Sequence, residues 1–270
     1  MRKLISLVFL LCGPFVLAGG DHLPMGARFA GMGYTGLTLV DLWGVRLNPA
    51  GIAGLEAPTA GIFYQRHFLS EELSHQGLAV ALPVGNGVFG VAADRFGYSM
   101  YNETHTSLAY AMRFGDGLRA AVQLDHLGVR LGENYGSAAT FIAQAGMQAK
   151  LTDALWMGAH IHNPGRASLG GPYDERVPTI LRAGITYIFS ENLLVNAEVE
   201  KDIDREERYR FGIEYRPSSV LFIRTGLSTG PVQGHGGVGI RLKQLDIDMA
   251  IAVRSLLGPT PMIGLNYRFK

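Results

Sequence analysis

The chain has 270 residues, a formal net charge of +1 and only 17% charged residues. This balance argues against a nucleic-acid partner, because phosphate binding needs a concentrated basic face. The low charge content and the 36 glycines are unusual for a soluble domain. Both fit a sheet with an apolar exterior and many tight turns.

Residues 1–20 are predicted to be a secretory signal peptide. Arg2 and Lys3 precede an apolar run at residues 4–11, which is too short to span a bilayer, and small residues follow at 18–20. Leu11 is too bulky for the position before a lipoprotein cysteine, so Cys12 is not expected to carry a lipid. Removing this segment leaves no cysteine, and fold stability must then come from the sheet.

Residues 21–57 are predicted to form an N-terminal hatch. Between residues 25 and 55 the sequence is rich in glycine and does not alternate in polarity. Asn48 is suited to cap a helical turn and Pro49 to begin it. Since a large closed sheet leaves a hole, we expect this segment to plug it.

Residues 58–270 contain about fourteen segments of roughly ten residues that alternate between apolar and polar or small side chains. In the clearest, Tyr209, Phe211 and Ile213 oppose Arg210 and Glu214. The pattern predicts an all-β fold, a transmembrane antiparallel β-barrel of about fourteen strands with the hatch in its lumen. Candidates for its aromatic girdles are Tyr110, Tyr187, Tyr209, Tyr215, Tyr267 and Phe269.

The connections between these segments alternate in length. Short ones fall at residues 84–87, 115–117, 152–154, 190–192, 217–219 and 243–244, and longer ones at 67–74, 97–103, 130–137, 163–178, 203–207, 229–233 and 256–259. Outer-membrane barrels have short periplasmic turns and longer external loops, whereas a Greek-key sandwich has no reason to keep this rhythm. The pattern therefore predicts a protein of the bacterial outer membrane.

Two motifs suggest chemistry that their context does not support. Gly31, Gly33 and Gly36 match a dinucleotide fingerprint, but neither a preceding strand nor a βαβ unit is predicted. Ser228 lies in a Gly-x-Ser-x-Gly pattern close to His235, yet the required helix after the serine is improbable beside Pro231. An external turn explains the second motif better.

Histidines give no stronger signal. Asp125 and His126 are neighbours on a predicted strand and point to opposite faces, so they cannot pair there. His160 and His162 share a face, but two ligands do not make a metal site and no acidic cluster completes one. We expect a protein without enzymatic activity, cofactor or metal.

Charged side chains of both signs are expected inside the barrel as ion-paired scaffolding around the hatch. Arg95 and Asp94 are both assigned to this interior set. The principal lumen-facing charges are predicted to be Arg182, Arg210, Glu198, Glu214, Arg224, Arg241, Asp246 and Asp248. Their balanced signs argue against a charge-selective ring.

The hatch motif consists of a Gly-Met-Gly element, Gly31, Met32 and Gly33, followed by an Asn-Pro-Ala-Gly element, Asn48, Pro49, Ala50 and Gly51. With these two elements the N-terminal segment resembles the PorV/PorQ family of outer-membrane proteins and, more distantly, the FadL/TodX-type transporters of hydrophobic compounds. The resemblance implies a barrel of about fourteen strands with an internal hatch. The external loops are shorter than transporters of this type usually carry.

The PorV/PorQ resemblance implies an accessory role in protein export to the cell surface, as in type IX secretion, with secretion subunits or a cargo protein as partners besides outer-membrane lipid. The first alternative is FadL-like uptake of a hydrophobic ligand that binds in the lumen, as a detergent would, and leaves through a gap in the wall. The second alternative is an exported soluble structural β-protein.

Overall fold

The computed structural model describes residues 24–132, 136–170, 175–255 and 257–270. The predicted signal peptide and the first residues of the predicted hatch lie outside this part of the chain. Among the described residues, no helix is both long and apolar enough to cross a membrane.

Fourteen antiparallel strands of the described chain close into one barrel, which confirms the predicted fold class. The first barrel strand pairs with the last, with Phe63 opposite Gly264, so the sheet has no free edge. In chain order the strands are β1 (Thr59–Arg66), β2 (Ser74–Val84), β3 (Gly87–Gly97), β4 (Tyr101–Phe114), β5 (Leu118–Leu131), β6 (Ser137–Lys150), β7 (Leu155–His162), β8 (Ser168–Leu169), β9 (Glu175–Arg176), β10 (Ile180–Ser190), β11 (Leu193–Asp202), β12 (Arg208–Tyr215), β13 (Leu221–Ser228), β14 (Gln233–Leu242), β15 (Leu245–Arg254) and β16 (Gly258–Arg268).

The two ends of the barrel differ as the connection lengths predict. At one end, the turn end, most links are of two to four residues, such as Gly85-Asn86 between β2 and β3. At the other, the loop end, lies the longest link, between β7 and β10. This link carries β8 and β9, which form a separate two-stranded sheet and do not join the barrel sheet.

Side-chain alternation decides which residues line the bore. On β12, Tyr209, Phe211 and Ile213 point outward and are 40–51% exposed, whereas Arg210 and Glu214 point inward and are 5–6% exposed. This arrangement is the reverse of that in a soluble protein, because the apolar rows of side chains are on the outside of the barrel. All six girdle candidates lie on this outer surface, most of them near the turn end, where Tyr267 and Phe269 pack edge to face.

The N-terminal segment fills the bore. It contains the short helix α1 (Ala27–Gly31) and the 3₁₀ helices Leu42–Arg46 and Pro49–Gly54. The segment packs against inward faces of the strands, and its large, fully buried apolar side chains include Met25, Phe29, Met32, Trp43 and Ile52. The apolar core is therefore made by the segment and the small residues of the wall that surround it, such as Ala79 and Ala109.

The prediction that Arg95 lies inside the barrel is wrong. Arg95 points outward and is exposed, while its neighbour Asp94 points inward to an ion pair with Arg46. Successive residues of a strand face opposite sides, so both could not lie in the bore.

Candidate functional site in the filled bore

The Gly31-Met32-Gly33 element lies against a stripe of glycines on the wall. A Cβ atom on Gly33 would lie 2.9 Å from the carbonyl oxygen of Phe211, and Gly33 also has a left-handed φ of 71°. A Cβ on Gly226 would in turn lie 2.3 Å from the Gly33 nitrogen. The two backbones approach this closely because neither carries a side chain at the contact.

The Asn48-Pro49-Ala50-Gly51 element holds the opposite side of the hatch. Asn48 accepts a hydrogen bond from the Ala50 N–H at 3.2 Å, which caps the following 3₁₀ helix, and its amide donates to the Leu37 carbonyl at 2.7 Å. The same amide donates to the Met147 carbonyl of β6 at 3.2 Å. One side chain thus links two parts of the hatch to the wall.

A buried ion cluster joins α1 to the strands on the β12–β15 side. Arg28 of the hatch donates two hydrogen bonds to Glu214 and one to Asp41, a hatch residue. Glu214 also accepts from Arg224 at 2.7 Å, and Arg224 donates to Asp248 at 2.6 Å. Six of the eight predicted lumen charges are buried in the bore, and three of them, Glu214, Arg224 and Asp248, meet in this cluster.

The remaining predicted lumen charges divide between the middle and the rim of the barrel. Glu198 accepts the N–H groups of Gly36 and Leu37 at 2.6 and 2.7 Å and so anchors the hatch backbone. Arg182 is buried and donates to the Leu47 carbonyl. Arg241 and Asp246 pair with each other at the turn end, where both are partly exposed.

Polar contacts continue across nine neighbouring strands, from β2 to β12 in barrel order, and we call this row the polar belt. Arg46 of the hatch lies within it, 3.2 Å from Asp94 and 2.9 Å from the His105 ring. Its members, in contact order, are His75, Asp94, Arg46, His105, Asp125, Gln144, His160, Arg182, Glu200 and Arg210. Buried charges without such partners would be strongly unfavourable.

The hatch charges in these contacts, Arg28, Asp41 and Arg46, were missed in the sequence. The available signal was three charged residues in an otherwise apolar, glycine-rich segment. Such residues need partners when they are buried, but the sequence does not identify which strands supply them.

The structure also locates the residues considered for chemistry. His160 and His162 point into the bore, and His160 contacts Gln144 at 2.8 Å. No group of three or more potential metal ligands occurs among the described residues. Asp125 and His126 face opposite sides, and His126 packs against Phe141 on the outer surface. Ser228 ends β13, and its hydroxyl lies 3.0 Å from the His235 ring.

His67 is a titratable residue that lies outside the strands, at the loop end. His67 follows β1 in the 3₁₀ helix His67–Leu69, and its ring stacks near His75 at 6.4 Å. Burial, together with the nearby His75, lowers the pKa of the His67 imidazole to about 4. The ring is therefore neutral at physiological pH.

A depression of about 580 Å³ indents the outer surface where β16, β1, β2 and β3 meet. Its sides are mostly outward apolar residues, among them Ile62, Leu78 and Ile263, and they also include the outward polar residues Gln76 and Arg95. Its floor includes Phe63 and Gly77, and a Cβ on Gly77 would lie 2.9 Å from the Met25 side chain of the hatch. One layer of wall separates the depression from the apolar part of the hatch.

No family model matches the chain, and no curated protein does either. Solved structures with a similar fold include the Pseudomonas putida toluene transporter TodX, at 12% identity and a TM-score of 0.72, with 92% of this chain and 99% of that chain covered. The CymD monoaromatic hydrocarbon channel is 13% identical, with a TM-score of 0.68 and coverage of 93% and 99%. A Pseudomonas aeruginosa FadL homologue is 11% identical, with a TM-score of 0.66 and coverage of 93% and 100%. The chain thus shares the fold of these barrels over nearly its whole length.

Proposed function

We propose that the protein is a non-enzymatic outer-membrane barrel that takes up hydrophobic small molecules, the FadL-like alternative of the sequence analysis. The outward apolar rows support the membrane location, because exposed side chains such as Leu124 and Ile213 would be poorly placed in water. The similarity to the TodX and CymD barrels supports this alternative over the export role, since those two proteins are described as a toluene transporter and a hydrocarbon channel.

The observation that carries the proposal is the apolar depression beside the hatch. Phe63 forms part of its floor, and the Phe63 ring packs edge to face against Trp43 of the hatch at 5.6 Å between centroids. A hydrophobic molecule that displaced this contact would meet apolar groups on both sides of the wall. The β1–β2 ladder is continuous from Thr59 to Arg66, so sideways release requires movement of the hatch or of these strands.

Uptake of radiolabelled toluene by cells producing the barrel tests the proposal. We expect uptake several times faster than in cells that lack the protein. Leu78→Trp, which fills the depression, should slow uptake, whereas Leu124→Trp on β5 should not, because both leucines are about half exposed but Leu124 lies away from the depression. Equal uptake with and without the barrel would refute the proposal.

Protein export remains a second candidate because the loop end presents exposed apolar side chains. Leu69, Tyr98, Met100, Val232 and Leu257 lie in four different loops and are 42–64% exposed. Such side chains are typical of surfaces that bind another protein. The ion-paired, filled bore also fits a barrel that docks a partner without conducting.

The longest loop offers a test of this second candidate. Its apolar residues Leu169 and Val177 pack on Ile142 at the mouth of the barrel. Deleting residues 163–178 should abolish capture of an exported cargo protein at the cell surface if the docking role is correct. Unchanged capture by a correctly inserted barrel would argue strongly against it.

A further inference from the structure

A second cavity, of about 260 Å³, opens at the loop end between the hatch and β10–β15. We call it the mouth cavity. Arginine side chains dominate its polar lining, with Arg205, Arg208, Arg210 and Arg254 against two carboxylates, those of Glu200 and Asp202. The excess of positive charge is larger than the lining alone gives, because Glu200 also accepts a hydrogen bond at 2.7 Å from a further arginine, Arg182.

The two carboxylates do not neutralise these arginines. Glu200 lies 2.9 Å from Arg210 but 3.7 Å from Arg208, which is 37% exposed. Arg254 lines the cavity, and within the described chain it forms no ion pair at 4 Å or less. Arg208 thus shares the single carboxylate of Glu200 with Arg182 and Arg210, and together with Arg254 it gives the cavity an excess of positive charge for an incoming anion.

The rest of the lining is suited to the body of an organic molecule. Tyr34 of the hatch reaches the cavity beside Ile180, Pro178 and Pro231. Tyr34 has a left-handed φ of 60°, which is uncommon for an aromatic residue and is typical of backbone held in place by its surroundings. Its hydroxyl accepts from Gln65 at 3.2 Å, and its ring packs edge to face on His235.

We propose that the mouth cavity binds a small organic carboxylate, with its carboxylate on Arg208 and Arg254 and its apolar part against Tyr34 and the neighbouring prolines. A planar guanidinium matches a carboxylate through two parallel hydrogen bonds. A neutral hydrocarbon would leave the positive charge uncompensated. The site is separate from the wall depression and does not depend on toluene uptake.

Binding of benzoate to the purified full-length barrel in neutral detergent, followed by titration calorimetry, tests the proposal. We expect saturable binding that weakens as salt is raised, because counter-ions screen the arginines. Benzamide, which has the same shape without the charge, should bind at least tenfold more weakly. Undetectable benzoate binding, or equal binding of benzamide, would overturn the assignment.

The variant pair Arg208→Gln and Arg254→Gln locates the site. The double variant should lose at least tenfold in benzoate affinity, whereas Arg130→Gln, an exposed arginine on the outer face of β5, should bind like the wild type. Heat-modifiable migration on a gel verifies that each variant is folded, and the single Arg254→Gln variant is used if the double variant is not. Unchanged affinity in the folded variant rules the site out.

The outcome is separable from that of the uptake experiment. A barrel that binds benzoate but does not accelerate toluene uptake supports the mouth cavity and refutes the transport proposal. A barrel that takes up toluene but shows no benzoate binding supports the transport proposal and refutes the carboxylate site in the mouth cavity.

Discussion

Arg28 of the hatch and Glu214 of β12 form a two-pronged ion pair in the bore. The Arg28 Nε lies 2.9 Å from Glu214 Oε2, and its Nη2 lies 2.8 Å from Oε1. The two residues are 186 positions apart in the sequence. Because Glu214 also holds Arg224, a single wall carboxylate positions a hatch cation and a strand cation together.

This arrangement predicts that replacing Glu214 lowers the stability of the barrel more than replacing Arg28 does. Glu214→Gln leaves two buried arginines short of a counter-charge and should cost about 3–5 kcal/mol of stability. Arg28→Gln should cost less, since Glu214 keeps Arg224. The temperature at which gel migration changes measures the stability of both variants, and Arg130→Gln is the exposed control. A larger loss from Arg28→Gln would contradict this account.

The close contact at Gly33 predicts a penalty that backbone strain alone does not explain. Gly33→Ala combines a left-handed φ with a Cβ 2.9 Å from the Phe211 carbonyl. Gly115→Ala is the matched control, because Gly115 has a similar φ of 65° in the β4–β5 turn but open space around it. Strain alone costs about 1–2 kcal/mol, and Gly33→Ala should exceed it. Protease sensitivity of the hatch should rise only in Gly33→Ala, and equal behaviour of the two variants would refute the packing argument.

The outward rows predict where an added charge is tolerated. Leu124 on β5 and Leu257 in the β15–β16 loop are both about half exposed. Leu124→Arg should destabilise the barrel in lipid by about 2–4 kcal/mol and Leu257→Arg by about 0–1 kcal/mol, because only the former places the cation in hydrocarbon. Denaturant titration of the barrel folded into lipid vesicles gives both values. Similar small costs would indicate that Leu124 faces water.

His67 predicts a pH dependence at the loop end. The pKa of the folded imidazole is about 4, below the ordinary value of 6.5, so the unfolded chain binds more protons between these values. Stability therefore falls as pH drops below about 6.5, by about 2 kcal/mol for this group at pH 5. His67→Gln removes the contribution, so the unfolding temperature of the variant should fall less than that of the wild type between pH 7 and pH 5. Equal decreases in the unfolding temperature of the two proteins would show that His67 does not contribute to the pH dependence of stability.

Several features of the barrel were predictable from local pattern. The alternation at Tyr209, Phe211 and Ile213 predicts the outward row, and the lengths of the connections predict which end carries the loops. Both depend on short-range rules, the period of two along a strand and the residues that a tight turn tolerates. The error at Arg95 arose where both adjacent residues are charged, so composition could not decide which one faces inward.

The contacts of the bore could not be predicted in the same way. The Ser228 hydroxyl and the His235 ring meet because β13 and β14 pair in register, with Ser228 opposite Gln233. Arg28 reaches Glu214 only because the hatch enters the bore with α1 on the β13–β16 side. Ser228 and His235 are near each other in the sequence, but only the strand register shows that they touch, and nothing near Arg28 in the sequence indicates Glu214 as its partner.

The sequence by itself determined the class of the fold, the two faces of most strands and the segment that differs from them, since each follows from side-chain periodicity along a few residues. The tertiary structure alone decided which inward charges meet, where the wall is indented and which arginines surround the mouth cavity. These features depend on the register of fourteen strands and on the seat of the hatch, which bring together side chains more than a hundred residues apart.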